Sequence, residues 1–216
     1  LSWAIEHDRI KLAKILLSMG ASVNVREQNN VNILMRTTRK GDYKLVKLLL
    51  SRNPGLNVKD DNGKTVLTWG VEYNRYNIIK LFLQKGAKVD SRDFSGFTPL
   101  MTASMLGYSE ILTLLLRSGA NINARNKFGK TALTIAAENN RVNIVKILLK
   151  FGANPLIEDK NKWNALMWAV AYRNTPVIKL LIKNIRSSRP IHQAKKLALF
   201  ENLNEIISIF NQKLRK

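Results

Sequence analysis

Apolar residues along this chain fall into six short, dense blocks, at residues 12–17, 45–50, 78–83, 111–116, 144–149 and 177–182. Within each block the apolar positions recur with the three-to-four-residue spacing of one helix face. A weaker apolar segment precedes every block, and polar, turn-forming residues separate one pair of segments from the next. The predicted elements are therefore paired helices joined by turns. A single pair has an apolar face too wide to cover by itself, so neighbouring pairs must stack.

The spacing is regular. Leu1, Leu34, Leu67, Leu100, Leu133 and Leu166 stand 33 residues apart without a break. Gly63, Gly96 and Gly129 keep the same interval, as do Thr65, Thr98 and Thr131. Gly20, Gly86, Gly119 and Gly152 close the second helices in that register, with Asn53 at the skipped place. The best-formed repeat begins Asp93-Phe-Ser-Gly-Phe-Thr-Pro-Leu100. Thr98 caps a helix by accepting from a free backbone N–H, and Pro99 gives up a donor that has no helical partner.

This pattern resembles ankyrin repeats, whose length and finger–helix–helix order it shares. The resemblance implies an all-α fold, an ankyrin-repeat solenoid of helix–turn–helix repeats with β-turn fingers. Its expected boundaries are 1–25, 26–58, 59–91, 92–124, 125–157 and 158–184, the first repeat being truncated. After residue 184 the period stops. A linker through Pro190 and two short helices, one marked by Ile191, Ala194 and Ala198 and one by Leu203, Ile207, Phe210 and Leu214, are expected to form a C-terminal helical cap over 185–216. Because Leu1 falls in the middle of a repeat, the natural N-terminus is expected upstream.

Two fingers depart from the pattern. Asn30 and Asn32 replace the glycine and threonine of the second, and Lys162 and Asn164 replace them in the last. Asparagine accepts positive φ and caps helices, so the second finger is expected to keep its shape; Lys162 is expected to bend the last one. Trp3, Trp69 and Trp168 share one register, and wedging between adjacent first helices is the expected role.

Composition removes several kinds of chemistry. The 216 residues contain no cysteine, which excludes disulfides and thiolate metal sites. The two histidines, His7 and His192, lie at opposite ends, so no nucleophile–histidine pair or zinc site is expected. Gly63-Lys64-Thr65 and Gly129-Lys130-Thr131 lack the upstream glycine of a phosphate-binding loop, where Val58 and Ala124 stand instead. Asp60-Asp61-Asn62-Gly63 lacks the glutamate of a calcium loop and reads as a turn. No catalytic residue, cofactor or metal is assigned, and no enzymatic activity or small-molecule substrate is expected. No apolar run approaches the roughly 18 residues of a membrane span.

Charge adds a preference in partners. There are 36 Lys+Arg against 15 Asp+Glu, a formal net charge of +21. Lys14, Lys47, Lys80, Lys146 and Lys179 repeat on the second helices and read as ordinary solvation. Arg92, Arg125, Lys127, Lys130 and Lys160 fall on or beside fingers. The C-terminal region adds Lys183, Arg186, Arg189, Lys195, Lys196, Lys213, Arg215 and Lys216 against Glu201 and Glu205.

In ankyrin-repeat proteins partners meet the concave surface formed by finger tips and first helices. The positions of this chain in that register include Tyr73, Phe94, Phe97, Met105, Leu106, Phe128, Trp163 and Tyr172, an apolar set where solvated positions are normally polar. Arg125, Lys127 and Lys130 accompany them. The expected function is non-enzymatic binding of a protein or peptide, acidic and with apolar anchors, by a monomeric chain. Binding of nucleic acid or an anionic membrane is the alternative, as is a role as the targeting portion of a larger, effector-type protein. The expected location is the cytoplasm, with secretion as an effector the other option.

Overall fold

A computed structural model describes residues 1–214; Arg215 and Lys216, two members of the basic C-terminal set, lie outside the described residues. Fourteen α-helices and no strands occur among the described residues, the architecture of an all-α repeat solenoid. The chain divides into two compact units, one ending at Phe94 and one beginning at Ser95.

The first unit holds three helix pairs: α1 (Ser2–Glu6) with α2 (Ile10–Ser18), α3 (Ile33–Lys40) with α4 (Tyr43–Leu50), and α5 (Val66–Glu72) with α6 (Tyr76–Gln84). First helices stack on first helices, α1 on α3 and α3 on α5, while α4 packs on α6. In the second unit the pairs are α7 (Pro99–Leu106) with α8 (Ser109–Arg117), α9 (Ala132–Glu138) with α10 (Val142–Lys150), and α11 (Ala165–Ala171) with α12 (Thr175–Asn184). Two more helices follow, α13 (Ser188–Phe200) and α14 (Asn204–Leu214). The first of these lies on α11, and α14 packs against both α13 and α12.

The leucine series forms the spine of each unit: Leu34, Leu67, Leu100, Leu133 and Leu166 are at most 1% exposed. Burying each contributes about 1.5–3 kcal/mol. Asn32, Thr98, Thr131 and Asn164 cap their first helices by accepting from the backbone N–H of Met35, Met101, Thr134 and Met167. Long side chains at the start of the second helices reach back to the preceding repeat. Arg75 Nη2 donates to Arg39 O at 2.6 Å, Arg141 Nε to Met105 O at 2.9 Å, and Asn174 Nδ2 to Ala137 O at 2.7 Å. Each bonds a carbonyl in the last turn of a first helix, where intrahelical donors run out.

Fingers stack through their backbones. In the first unit Asp61 N donates to Asn29 O and Phe94 N to Asn62 O; in the second, Lys127 N donates to Ser95 O and Lys160 N to Phe128 O, all at 3.0 Å. This close passage is what demands glycine. A Cβ on Gly63, Gly96 or Gly129 would stand 2.7, 2.8 or 2.9 Å from the backbone nitrogen of the next finger, and all three have φ near +80°.

Lys162 occupies the same register with φ 62°, and its N–H donates to Asp159 O at 3.1 Å, as Gly129 N donates to Asn126 O at 2.9 Å. The last finger is therefore not bent differently, contrary to the sequence reading. No further finger passes it among the described residues, so only the backbone conformation opposes a side chain there. The finger that does differ is the second. Asn29 and Asn30 are both left-handed, and residues Gln28–Asn30 form a 3₁₀ turn. Its base carries Glu27 where the other fingers carry Asp or Asn, one methylene too long for the same turn.

The C-terminal helices also differ in detail. Ile191, Ala194 and Ala198 are buried, but Ile206 rather than Ile207 joins Phe210 inside, and α13 begins before Pro190, leaving a linker of only three residues.

Two substitutions separate the constraints on the finger glycine. Gly129→Ala adds both a backbone clash and left-handed strain and should lower stability by about 2 kcal/mol or more. Lys162→Gly removes strain only and should raise it by roughly 0.5–1 kcal/mol. Urea unfolding of the two variants measures both; a stabilised Gly129→Ala protein would refute the account.

Candidate functional site

Three fingers are held from the base by one side chain each. Asp60 Oδ1 accepts from Asn62 N at 2.9 Å and Lys64 N at 2.8 Å. Asn126 Oδ1 accepts from Phe128 N at 3.0 Å and Lys130 N at 2.9 Å. Asp159 Oδ1 accepts from Asn161 N at 2.8 Å and Trp163 N at 3.0 Å. The other oxygen of the two aspartates receives a tryptophan nine residues on: Trp69 Nε1 reaches Asp60 Oδ2 at 2.9 Å, and Trp168 Nε1 reaches Asp159 Oδ2 at 2.7 Å. These hydrogen bonds tie both indoles to their own fingers. Each lies against its own finger with one side half-exposed, because the carboxylate offers the buried N–H its acceptor. Trp3 is 60% exposed and stacks on His7.

In the first unit Tyr73 is 39% exposed and packs at 5.7 Å against Trp69, while Phe94 is 57% exposed with Lys59 Nζ 5.9 Å from its ring centre. A smaller recess of about 340 Å³ lies between the second and third fingers, lined by Arg36, Arg39, Asp60 and Trp69 among others.

The second unit contains a cavity of about 610 Å³, open to solvent. Finger residues Phe97, Asn126, Phe128, Lys130, Asp159, Lys160 and Asn161 line it, together with Met105 of α7, Ile135 and Glu138 of α9, Asn139 beside it, and Trp168 of α11. Of the residues singled out from sequence, Phe97, Met105, Phe128 and Lys130 thus share one cavity. Trp163 stands beside it, edge-on to Trp168 at 5.0 Å, and Tyr172 stacks on that indole at 6.0 Å. Leu106 is half-buried on α7, outside the lining.

The basic residues divide by what they already hold. Lys130 Nζ sits 2.7 Å from Glu138 Oε2 and 3.6 Å from the centre of the Trp168 ring. Its charge is compensated within the fold, which removes it from the residues awaiting a ligand carboxylate. Lys64 makes the same finger-to-helix pair with Glu72 at 2.5 Å. Arg125 donates to Gly129 O and Glu158 O, at 3.2 and 2.9 Å, and braces two neighbouring fingers. Lys127 and Lys160 are exposed, and Lys160 also lines the cavity.

Sequence reasoning passed over Asn126, Ile135 and Asp159. The available signal was the pairing of each finger-base residue with the one nine positions later. The acid is met by a donor in Asp60–Trp69, in Asp159–Trp168 and in Glu27–Arg36, where Arg36 ion-pairs with Glu27. Asn126 meets Ile135, which has no polar atom. Asn126 is 6% exposed, and its Nδ2 finds no acceptor.

Comparison with known families agrees with the helix-pair architecture. A model described as ankyrin repeats (3 copies) matches residues 1–93, 34–126 and 100–190. The chain belongs to the ankyrin-repeat family, whose members generally serve as protein–protein interaction modules. No curated protein matches it closely enough to transfer a more particular role.

The Lys130–Glu138–Trp168 cluster should be measurably cooperative. Lys130→Met should cost about 1 kcal/mol in urea unfolding, from the lost ion pair and the lost cation–π contact. Adding Glu138→Gln should recover part of it; strictly additive losses would show that the pair is not coupled.

Proposed function

We propose that this chain is a non-enzymatic interaction module that binds an acidic peptide segment, or a protein presenting one, through the finger tips and first helices of its second unit. The observation that carries the reading is the 610 Å³ cavity there, walled by Phe97, Phe128 and Trp168 and flanked by the solvated Lys127 and Lys160. An uncovered aromatic recess with a charged rim is the arrangement in which anchor residues deliver most binding energy. The basic rim attracts an acidic chain, and the overall charge of +21 strengthens the attraction at long range. Phe128, 57% exposed, would lie across the bound segment.

A second reading, binding of a polyanion, draws on a groove of about 530 Å³ in the first unit where Lys14, Lys44 and Lys47 of the second helices gather with Arg52 of the turn that follows α4. Salt separates the two readings, because phosphate contacts release counterions and lose affinity log-linearly, whereas an aromatic anchor does not.

Synthetic Asp/Glu-rich peptides with one central aromatic residue supply the test, read by biolayer interferometry at low and high salt. Phe128→Ala should speed dissociation, and Lys127→Glu with Lys160→Glu should slow association by roughly tenfold while changing dissociation little. An unaltered association rate in the double reversal would rule out the basic rim as a steering surface. A steep log-linear loss of affinity with salt, matched by single-stranded DNA, would favour the polyanion instead.

A further inference from the structure

The cavity of the second unit differs from its counterparts at one pair of positions. At Glu27, Asp60 and Asp159 the finger base is acidic and the residue nine places on donates to it, while Thr102, nine places after Asp93, donates its hydroxyl to Thr98 O. At Asn126 and Ile135 both members have changed. The acceptor oxygen that would receive a donor is replaced by the amide Nδ2, and the indole that would lie in that place is replaced by a smaller aliphatic chain. The assignment of the amide is secure from its bonds: Oδ1 must be the atom accepting from Phe128 N and Lys130 N, so the nitrogen faces away from the turn. That nitrogen is buried in a residue of the cavity wall and has no acceptor, a deficiency that costs free energy until something supplies one.

The ionic content of the lining narrows the occupant further. Lys130 and Lys160 are balanced by Glu138 and Asp159, so the cavity carries no net charge within a chain of net charge +21. Lys130 is held by Glu138, and both oxygens of Asp159 already accept hydrogen bonds. A carboxylate inside would meet Glu138 and Asp159, with only the exposed Lys160 at the rim to pair with it, since Lys130 is already held. The walls, Phe97, Phe128, Ile135 and Trp168, suit an aromatic ring.

We propose that this cavity, on the peptide-binding reading given above, receives an uncharged aromatic side chain bearing a hydrogen-bond acceptor, namely a tyrosine of the acidic partner segment. Its ring takes the space that an indole fills beside Asp60 and Asp159, and its phenolic oxygen accepts from Asn126 Nδ2. Reaching that nitrogen requires a side chain of the wall to rotate aside, an adjustment interfaces commonly make. The phenolic proton has Glu138 and the Oδ1 of Asn139 available in the same lining. Phenylalanine would leave the amide unmet, and tryptophan would set a donor against a donor.

Side-chain analogues test this on the whole chain: 4-methylphenol, toluene and 3-methylindole, titrated separately and followed by amide chemical shifts, including the side-chain amide of Asn126. The expected order places 4-methylphenol roughly tenfold tighter than toluene, the worth of one satisfied buried donor. Asn126→Asp keeps the finger turn, as Asp60 and Asp159 do, and should move 3-methylindole to first place. Ile135→Trp should fill the cavity and abolish binding of all three. Equal affinities for 4-methylphenol and toluene, an order unchanged by Asn126→Asp, or no binding of any analogue would each overturn the proposal. Acidic peptides that bind equally with and without tyrosine would overturn it while leaving the peptide-binding reading intact. A phenol preference in a protein that captures no acidic peptide would do the reverse.

Discussion

One side chain at the base of each well-formed finger, reaching two backbone N–H groups with a single oxygen, is the constraint on which the rest depends. Asp60, Asn126 and Asp159 fix the fingers in a shape that turns each tip toward the one before it. Glu27 shows the effect of moving the oxygen one methylene further out: the turn tightens to 3₁₀ form and two asparagines enter the left-handed region. The length of a side chain, not its charge, decides the outcome, since asparagine and aspartate build the same turn.

That fixed shape has two consequences for the surface. Within each unit it brings successive finger backbones close enough to hydrogen-bond, so the tips form a floor without any strand. It also leaves the second oxygen or nitrogen of each base residue facing the first helix of its own repeat. The residue which that helix offers then sets the local chemistry. Indoles make a filled, donor-satisfied wall at Trp69 and Trp168; Ile135 leaves a hollow and an amide without an acceptor. A uniform scaffold acquires a distinct recess through two substitutions nine residues apart.

Periodicity made the framework legible. The Leu34–Leu166 series reads as a spine from spacing alone, and it is buried throughout each unit. Thr98 and Pro99 announce a helix start, and α7 begins there. Less legible were features that depend on what a side chain meets. Lys162 is unfavourable by residue type alone, and it is tolerated because no further finger passes over it among the described residues. Lys130 looked available because its register position is surface-facing, whereas Glu138, eight residues away, and Trp168 of the next repeat already hold it. Phe97, Met105 and Phe128 stand out in the sequence as apolar residues at surface-facing register positions; Asn126 and Ile135 do not, because neither is unusual until the two are read as a pair.

The tolerance of Lys162 has a bearing on how such an array can lengthen. A finger of the regular shape needs its glycine only where a successor crosses it; the second finger carries Asn30 there through its 3₁₀ form, and the final finger carries Lys162 because no successor crosses it among the described residues. Having drifted, it resists extension: a seventh repeat laid over Lys162 would press its backbone against the lysine Cβ. α13 occupies the exposed side of α11 instead. Duplication of interior repeats leaves this boundary undisturbed, whereas appending one at the last finger requires reversion to glycine first. Growth of the array is in this sense directional, favouring insertion over addition.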